Sequence, residues 1–304
     1  MRIVIAGGSG FLGTPLSRTL AEAGHAVVVL TRHPDEPRDP GMVRYRLWTP
    51  DGETRTWGAE LDGADVVINL AGAGIADGRW SSARRRLILE SRVNATRSLA
   101  IAIRAVKSKP SVFIQASAVG FYGAYDNGGE FDETSSPGTD FLADVCVAWE
   151  AEAHPLDTVC RVVFIRTGFV LGTTGGGLPK LLRPYRFFVG GPVGSGHQTM
   201  SWIHVDDWVG LVVWAIGSGA VSGPINATAP HPVTNTELSR AIGRALHRPS
   251  WIPVPAAVLK LMFGEMAKVM LLRGQRVLPR RALELGYHFR HEEVDGALSR
   301  LFAR

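Results

Sequence analysis

The stretch AGGSGFLG, Ala6 to Gly13, decides the fold. It follows directly on RIVIA (Arg2–Ala6), a β-branched run that reads as a buried strand, and it opens a helical pattern over Phe11–Ala23. Gly7, Gly10 and Gly13 stand in G-x-x-G-x-x-G spacing. Gly7 permits the tight turn, Gly10 lets backbone approach a pyrophosphate, and Gly13 lets helix pack closely on strand. The helix start offers free N–H groups and the positive end of its dipole to phosphates. Strand, glycines and helix in this order point to a dinucleotide site; a glycine-rich turn without a ligand is the plainer alternative.

Working outward, HAVVVLT (His25–Thr31), ADVVINLA (Ala64–Ala71), SVFIQAS (Ser111–Ser117) and CRVVFIRT (Cys160–Thr167) read as further strands. Helical patterns over Ser82–Val106 and Thr139–His154 separate the later ones. This rhythm predicts a doubly wound α/β fold, a parallel sheet covered on both faces. It breaks after about Gly172. Glycine-rich connections follow (Gly175–Gly177, Gly190–Gly196), then a strand-like TMSWIHV at Thr199–Val205. From Thr234 the text is mostly helical, with Thr234 and Glu237 spaced as a capping box for a helix through Leu246. The organisation expected is a Rossmann-type domain over 1–172, completed by about 205–230. A smaller substrate-binding lobe would come from 173–204 and 231–304.

The second strand ends VVVLTRH, with Thr31, Arg32 and His33 and no acid before Asp35. A site for NAD usually places an acid there for the ribose hydroxyls. The fork of Arg32 instead matches a 2′-phosphate, with Ser9 as a second donor, and predicts NADP(H). An exposed arginine at a strand end is the alternative.

Bulk composition narrows the class. The chain has 304 residues, 45% hydrophobic and 20% charged, with a formal charge of +5, as expected of a globular protein with a modest positive field. The run Arg84–Arg86 lacks interleaved aromatics, so a solvated helix face is expected there and no nucleic-acid partner. Two cysteines, Cys146 and Cys160, exclude a disulfide framework and show no metal-ligand spacing. The apolar start is too short for a signal peptide, and no stretch approaches the about 20 apolar residues of a membrane span, so a cytoplasmic protein without membrane partners is expected.

Several motifs carry a family resemblance. NLAG (Asn69–Gly72), RVNATRSL with Asn94 and Thr96, ASAVGFYG (Ala116–Gly123), RTGFVLG (Arg166–Gly172) and SWIHVDD (Ser201–Asp207) together resemble the extended short-chain dehydrogenases/reductases. The tail RVLPRRALELGYHFR (Arg276–Arg290) is similar to the branch called epimerase-family proteins. The resemblance implies a cofactor site lined by Gly7, Ser9, Gly10, Phe11, Leu12, Gly13, Thr31, Arg32, Leu70, Ala71, Gly72, Asn94, Ala116, Arg166, Thr167, Gly168 and Val170. It also implies a small-molecule substrate, with nucleotide sugars among the class's ligands.

In that superfamily a serine and a Tyr-x-x-x-Lys dyad do the chemistry. Ser117 matches the serine. With Glu150 as anchor, the tyrosine position falls on Leu142 and the lysine position on Cys146, and shifting the register by one residue gives no better pair. Four residues beyond Tyr45, Tyr122, Tyr125, Tyr185 and Tyr287 stand Thr49, Asp126, Gly129, Val189 and His291. The dyad is absent from the chain. Tyr122, on the loop after Ser117, is the candidate catalytic substitute, or an aromatic lid on the cofactor, with a pKa near 10. Cys146 reads as a buried thiol or a reactive one, and His204 with Asp206 or Asp207 as a structural histidine or an acid–base pair.

In the lobe, Met262, Met266 and Met270 recur at four-residue spacing, an apolar helical face suited to core packing or a homodimer contact. Arg273 and Arg276 are candidates for a substrate diphosphate or for the surface. Two functions remain: an NADP(H)-dependent oxidoreductase or epimerase-like enzyme using Ser117 and Tyr122, or a catalytically silent NADP(H)-binding sensor or interaction module.

Overall fold

The computed structural model describes residues 1–34, 43–125 and 129–303. Seven parallel strands form the central sheet. They are β1 (Arg2–Ala6), β2 (Ala26–Thr31), β3 (Val43–Leu47), β4 (Val66–Asn69), β5 (Val112–Ala118) and the strands Arg161–Thr167 and Gly223–Ala227. In space they run Gly223–Ala227, Arg161–Thr167, β5, β4, β1, β2, β3. The order reverses between β1 and β4, which is where open α/β sheets bind ligands at the carboxyl ends of their strands.

Alternation along β1 builds two apolar layers. Ile3 and Ile5 join Leu16 and Leu20 of α1 (Gly13–Glu22) and Trp208 and Leu211 of α5 (Val205–Gly217). Val4 and Ala6 face the opposite layer with Leu99 and Ile103 of α2 (Ser82–Ala105), Trp57 and Phe113. Each such side chain fully removed from water contributes about 1.5–3 kcal/mol. Strands buried on both faces therefore read as continuous Val/Ile runs. The edge strand β3 does not: it alternates Val43, Arg44, Tyr45, Arg46, Leu47, and Arg44 and Arg46 both reach Glu60. Charges on a sheet edge discourage further pairing, and they also hid this strand in the sequence.

The remaining helices are α3 (Phe141–Ala151), α4 (Leu178–Arg186), α6 (Asn235–Leu246), α7 (Ala256–Phe263) and α8 (Glu265–Met270), with two short ones at Arg280–Glu284 and Val294–Phe302. The capping box of α6 forms as expected, Thr234 and Glu237 each bonding the other's backbone N–H. One sequence expectation is met only in part here and another fails. TMSWIHV is two short strands, Thr199–Met200 and Trp202–His204, which pair with Val233–Thr234 and Phe169–Leu171 respectively. Ser201 between them accepts the Phe169 N–H through its carbonyl (2.7 Å) and donates its hydroxyl to Gln275 O (2.8 Å). The methionine stripe is also interrupted: Gly264, at φ +62°, separates α7 from α8. Met266 is buried while Met262 is exposed, so the three methionines share no face.

Candidate active site

The phosphate loop is shaped by contacts that exclude side chains. Gly7, at φ +75°, donates its N–H to Leu30 O (3.0 Å), and a Cβ there would lie 2.9 Å from Ala71 N. A Cβ on Gly13 would lie 2.5 Å from Gly8 Cα. Helix α1 starts with no side-chain cap and no acid in its first turn, so its N-terminal dipole end is not neutralised locally. The Phe11 ring packs on Gly172, Gly175 and Gly176, which explains that later glycine cluster: any Cβ there would press within 3.0 Å of the ring.

At the end of β2, Ser9 Oγ and Thr31 Oγ1 are 3.1 Å apart, and Thr31 Oγ1 also accepts the His33 N–H (3.3 Å). Thr31 is buried and Arg32 is exposed beside it. Asp35 lies outside the described residues. At the end of β4, buried Asn69 accepts the Ala71 N–H (3.1 Å) and donates to Thr96 Oγ1 (2.9 Å) and Gln115 Oε1 (3.1 Å). That network fixes the Leu70–Gly72 backbone. Thr96, not Asn94, is the α2 residue that reaches it; the Asn94 side chain stands near Gly52 instead. Gly7, Ala71, Ala116 and Gly168 are half-exposed and Gly72 exposed, a line of small residues along the carboxyl edge of the sheet. Val170 is buried in the pairing of Phe169–Leu171 with Trp202–His204. Thr167 Oγ1 accepts the indole N–H of Trp208 (3.0 Å).

Beyond this edge the structure assembles one buried polar network. Ser117 donates its hydroxyl to Glu150 Oε1 (2.6 Å). Arg166 grips the same carboxylate with Nε (2.9 Å) and Nη2 (2.8 Å). Its third nitrogen, Nη1, donates to Tyr122 Oη (3.1 Å), and the Tyr122 hydroxyl donates to Asn226 Oδ1 (2.7 Å). The Arg166 guanidinium also lies 3.4 Å from the Phe121 ring centroid. Burial alone would weaken the positive charge of Arg166, but the bidentate Glu150 contact overrides it and raises its pKa. Arg166 is thus held in an ion pair with Glu150, both nearly sealed, rather than free beside a nicotinamide.

The same network corrects the reading of Tyr122. It is 0% exposed, in the turn Val119–Tyr122, and stacks on Phe131 with centroids 5.6 Å apart. Burial pushes its phenol up to about 12, with Arg166 pulling the other way. An aromatic after a strand-end serine can enter the core, and here the buried Asn226 and Arg166 supply the partners its hydroxyl needs there. The dyad positions of α3 are filled differently. Leu142, half-exposed, sits in the first turn, its N–H bonded to Asp140 Oδ1 (2.9 Å). Cys146 is buried, and its thiol is pushed up to about 12 by burial and by Glu150. His204 caps α5, its Nδ1 accepting the Asp206 N–H (3.1 Å), an architectural use. His204, Asp206 and His291 bring possible ligand atoms within 4.8 Å of one another; the cap engages Nδ1 of His204, while its buried Nε2 has no partner among the described residues.

Sequence reading missed several participants, Asn226 of the buried network among them. Glu150 served only as a register mark. Arg92, on α2, is buried against Ala73 and Trp149. Of the Arg84–Arg86 run only Arg86 is exposed as a solvated face requires: Arg84 binds Gly74 O and Asp77, and Arg85 pairs with Glu265 of the lobe. Arg276 is paired with Glu130 (3.3 Å).

Comparison with known proteins places this geometry. The pattern of the NAD dependent epimerase/dehydratase family matches residues 3–227, and a domain of unknown function matches residues 254–301. The chain is similar to the epimerase family protein YfhF of Bacillus subtilis, 39% identical over 304 residues and spanning 100% of this chain and 98% of that one. It is similar to the human epimerase family protein SDR39U1, 35% identical over 306 residues with 100% of both chains covered. A crystal structure of that human protein with NADPH superposes at TM-score 0.89 over 99% of each chain. MoeE5 in complex with UDP-glucuronic acid and NAD, 21% identical, shares the fold at TM-score 0.79, covering 98% of this chain and 97% of that one.

Proposed function

Because this chain belongs to the NAD dependent epimerase/dehydratase family, we propose that it is an NADP(H)-dependent oxidoreductase or epimerase-like enzyme acting on a small molecule. The observation that carries the cofactor choice is the end of β2, where Ser9 and Thr31 form a hydroxyl pair beside exposed Arg32. A cation with a neutral hydroxyl pair suits a 2′-phosphate. The human relative with NADPH supports the same choice. Backbone N–H groups of Gly7–Gly13 would hold the pyrophosphate at the start of α1, and Leu70, Ala71, Gly72, Ala116, Thr167 and Gly168 would line the rest. The bound nicotinamide supplies the hydride chemistry.

Ser117 has a restricted role in this reading. Its proton is committed to Glu150, so towards a ligand it can only accept a hydrogen bond. It would therefore orient a substrate hydroxyl rather than polarise a carbonyl. Tyr122 and Cys146, both neutral up to about pH 12, do not exchange protons near neutrality. Proton transfer is left to solvent or to the substrate itself. The smaller lobe, from 173–204 and 231–304, would close over the carboxyl edge and select that substrate.

The committed hydroxyls also favour a second reading, an NADP(H) sensor without turnover, which must bind the oxidised and reduced cofactor differently to respond to either. The test is NADPH fluorescence in the presence of a cell metabolite extract. Decay that requires both protein and extract supports the enzyme. Steady emission leaves the sensor or an epimerase that restores its cofactor each cycle, and an affinity difference of at least about tenfold (1.4 kcal/mol) between NADPH and NADP⁺ favours the sensor.

A further inference from the structure

A buried charge is costly unless something pairs with it, and α2 carries one that no acid in the described chain pairs with. Arg92 is only 8% exposed. Its Nη1 donates to the carbonyls of Ala73 (3.1 Å) and Ile88 (2.9 Å), and its guanidinium lies 5.0 Å from the Trp149 ring centroid. Among the described residues, Nε and Nη2 donate to nothing. Neither belongs to the partnerless atoms sealed in the core, so this edge of the fork meets accessible space. Gly72, exposed at the end of β4, is what leaves it reachable: a Cβ there would lie 3.1 Å from the Arg92 Cζ and 3.3 Å from Nε.

A second guanidinium converges on the same loop. Arg84 holds Gly74 O and Asp77, and its Nε is buried without a partner. Burial above all, with a smaller contribution from Arg84, lowers the Arg92 pKa to about 10, so the group is still charged at neutral pH. Cys146, at the register position of the missing lysine, is neutral there and is no substitute cation.

We propose that the Nε–Nη2 edge of Arg92, with Arg84 beside it, is the receptor for a carboxylate or phosphate of the small molecule bound at the carboxyl edge. The inference rests on that edge being a ligand site, as the functional reading holds. Two parallel N–H groups match two oxygens of either anion, and such a pair strengthens as water is excluded. The anion has two sources of the same chemistry, an acid group on the substrate or the cofactor's own phosphates.

The test uses the full chain, inorganic phosphate as the probe, thermal unfolding for phosphate and fluorescence for NADPH. Wild type is expected to gain a saturable rise in Tm with phosphate. Arg92→Met should weaken that binding at least about tenfold, the loss of charge-assisted bonds, while the ligand-free Tm holds or rises. Arg92→Lys keeps the charge without the fork and should lose affinity likewise, so the result survives if the methionine variant folds poorly. Tenfold loss of NADPH affinity in both variants assigns the anion to the cofactor. Loss of phosphate binding with NADPH affinity intact assigns it to the substrate. Phosphate and NADPH binding both unchanged in the variants overturn the proposal, as does a wild type indifferent to phosphate whose variants keep NADPH affinity. A wild type that binds no NADPH sinks the cofactor reading, and phosphate on the ligand-free chain still decides for Arg92.

Discussion

At the scale of single residues, Glu150 holds the site together, because it receives Ser117 and both arms of Arg166. Removing one member of a buried ion pair strands the other. Glu150→Ala is therefore expected to cost about 3–5 kcal/mol in urea unfolding, and Glu150→Leu combined with Arg166→Met to recover much of it. Tyr122→Phe leaves Asn226 Oδ1 short of a donor and should cost about 1–3 kcal/mol without altering NADPH affinity. A change in turnover larger than any change in stability would restore Tyr122 as a catalytic residue. Tyr122 and Cys146 are raised in the fold, so their contribution is complete below the unfolded values, near 10 and 9, and is lost as pH rises towards about 12. His204 is lowered, chiefly by burial and then by His291, so its contribution is present above about 6.5 and is lost as pH falls below it. The urea midpoint measured against pH should fall on both sides, and a midpoint flat from pH 8 to 11 would contradict the burial of the thiol and phenol.

At the scale of elements, the sequence was most legible where one rule acted alone. Buried strands announce themselves by Val/Ile runs, and Gly7 and Gly13 by contacts that no Cβ survives. Legibility failed where tertiary contacts set the outcome. The arginines of β3 masked an edge strand by pairing with Glu60. A four-residue methionine spacing suggested one helix face, but Gly264 at φ +62° turns the chain between α7 and α8. Gly264→Ala should therefore destabilise the chain by about 1 kcal/mol or more, since alanine resists that conformation. A neutral or stabilising effect in thermal unfolding would mean the turn is not fixed. The place of Arg92 was illegible for a related reason: nothing in RVNATRSL says that α2 lays this side chain under Gly72.

At the scale of the whole molecule, the fold and the family were readable from the first strand, its glycines and the alternating elements, because a parallel sheet with its switch point leaves few other arrangements. The missing dyad was readable too, being a matter of residue identity. What replaced it was not, since the Ser117–Glu150–Arg166–Tyr122–Asn226 network joins residues up to 109 positions apart that only the packed sheet brings together. On the proposed function the molecule is an NADP(H) protein first, and its side chains carry no proton transfer. The most direct measurement is a fluorescence titration of the purified chain with NADPH and with NADH, repeated on Arg32→Ala. The account predicts NADPH binding at least about tenfold tighter than NADH in the wild type, the worth of a charge-assisted contact to the 2′-phosphate, and loss of that preference in the variant. Equal affinity for the two cofactors in the wild type, or a preference that survives in Arg32→Ala, would contradict it.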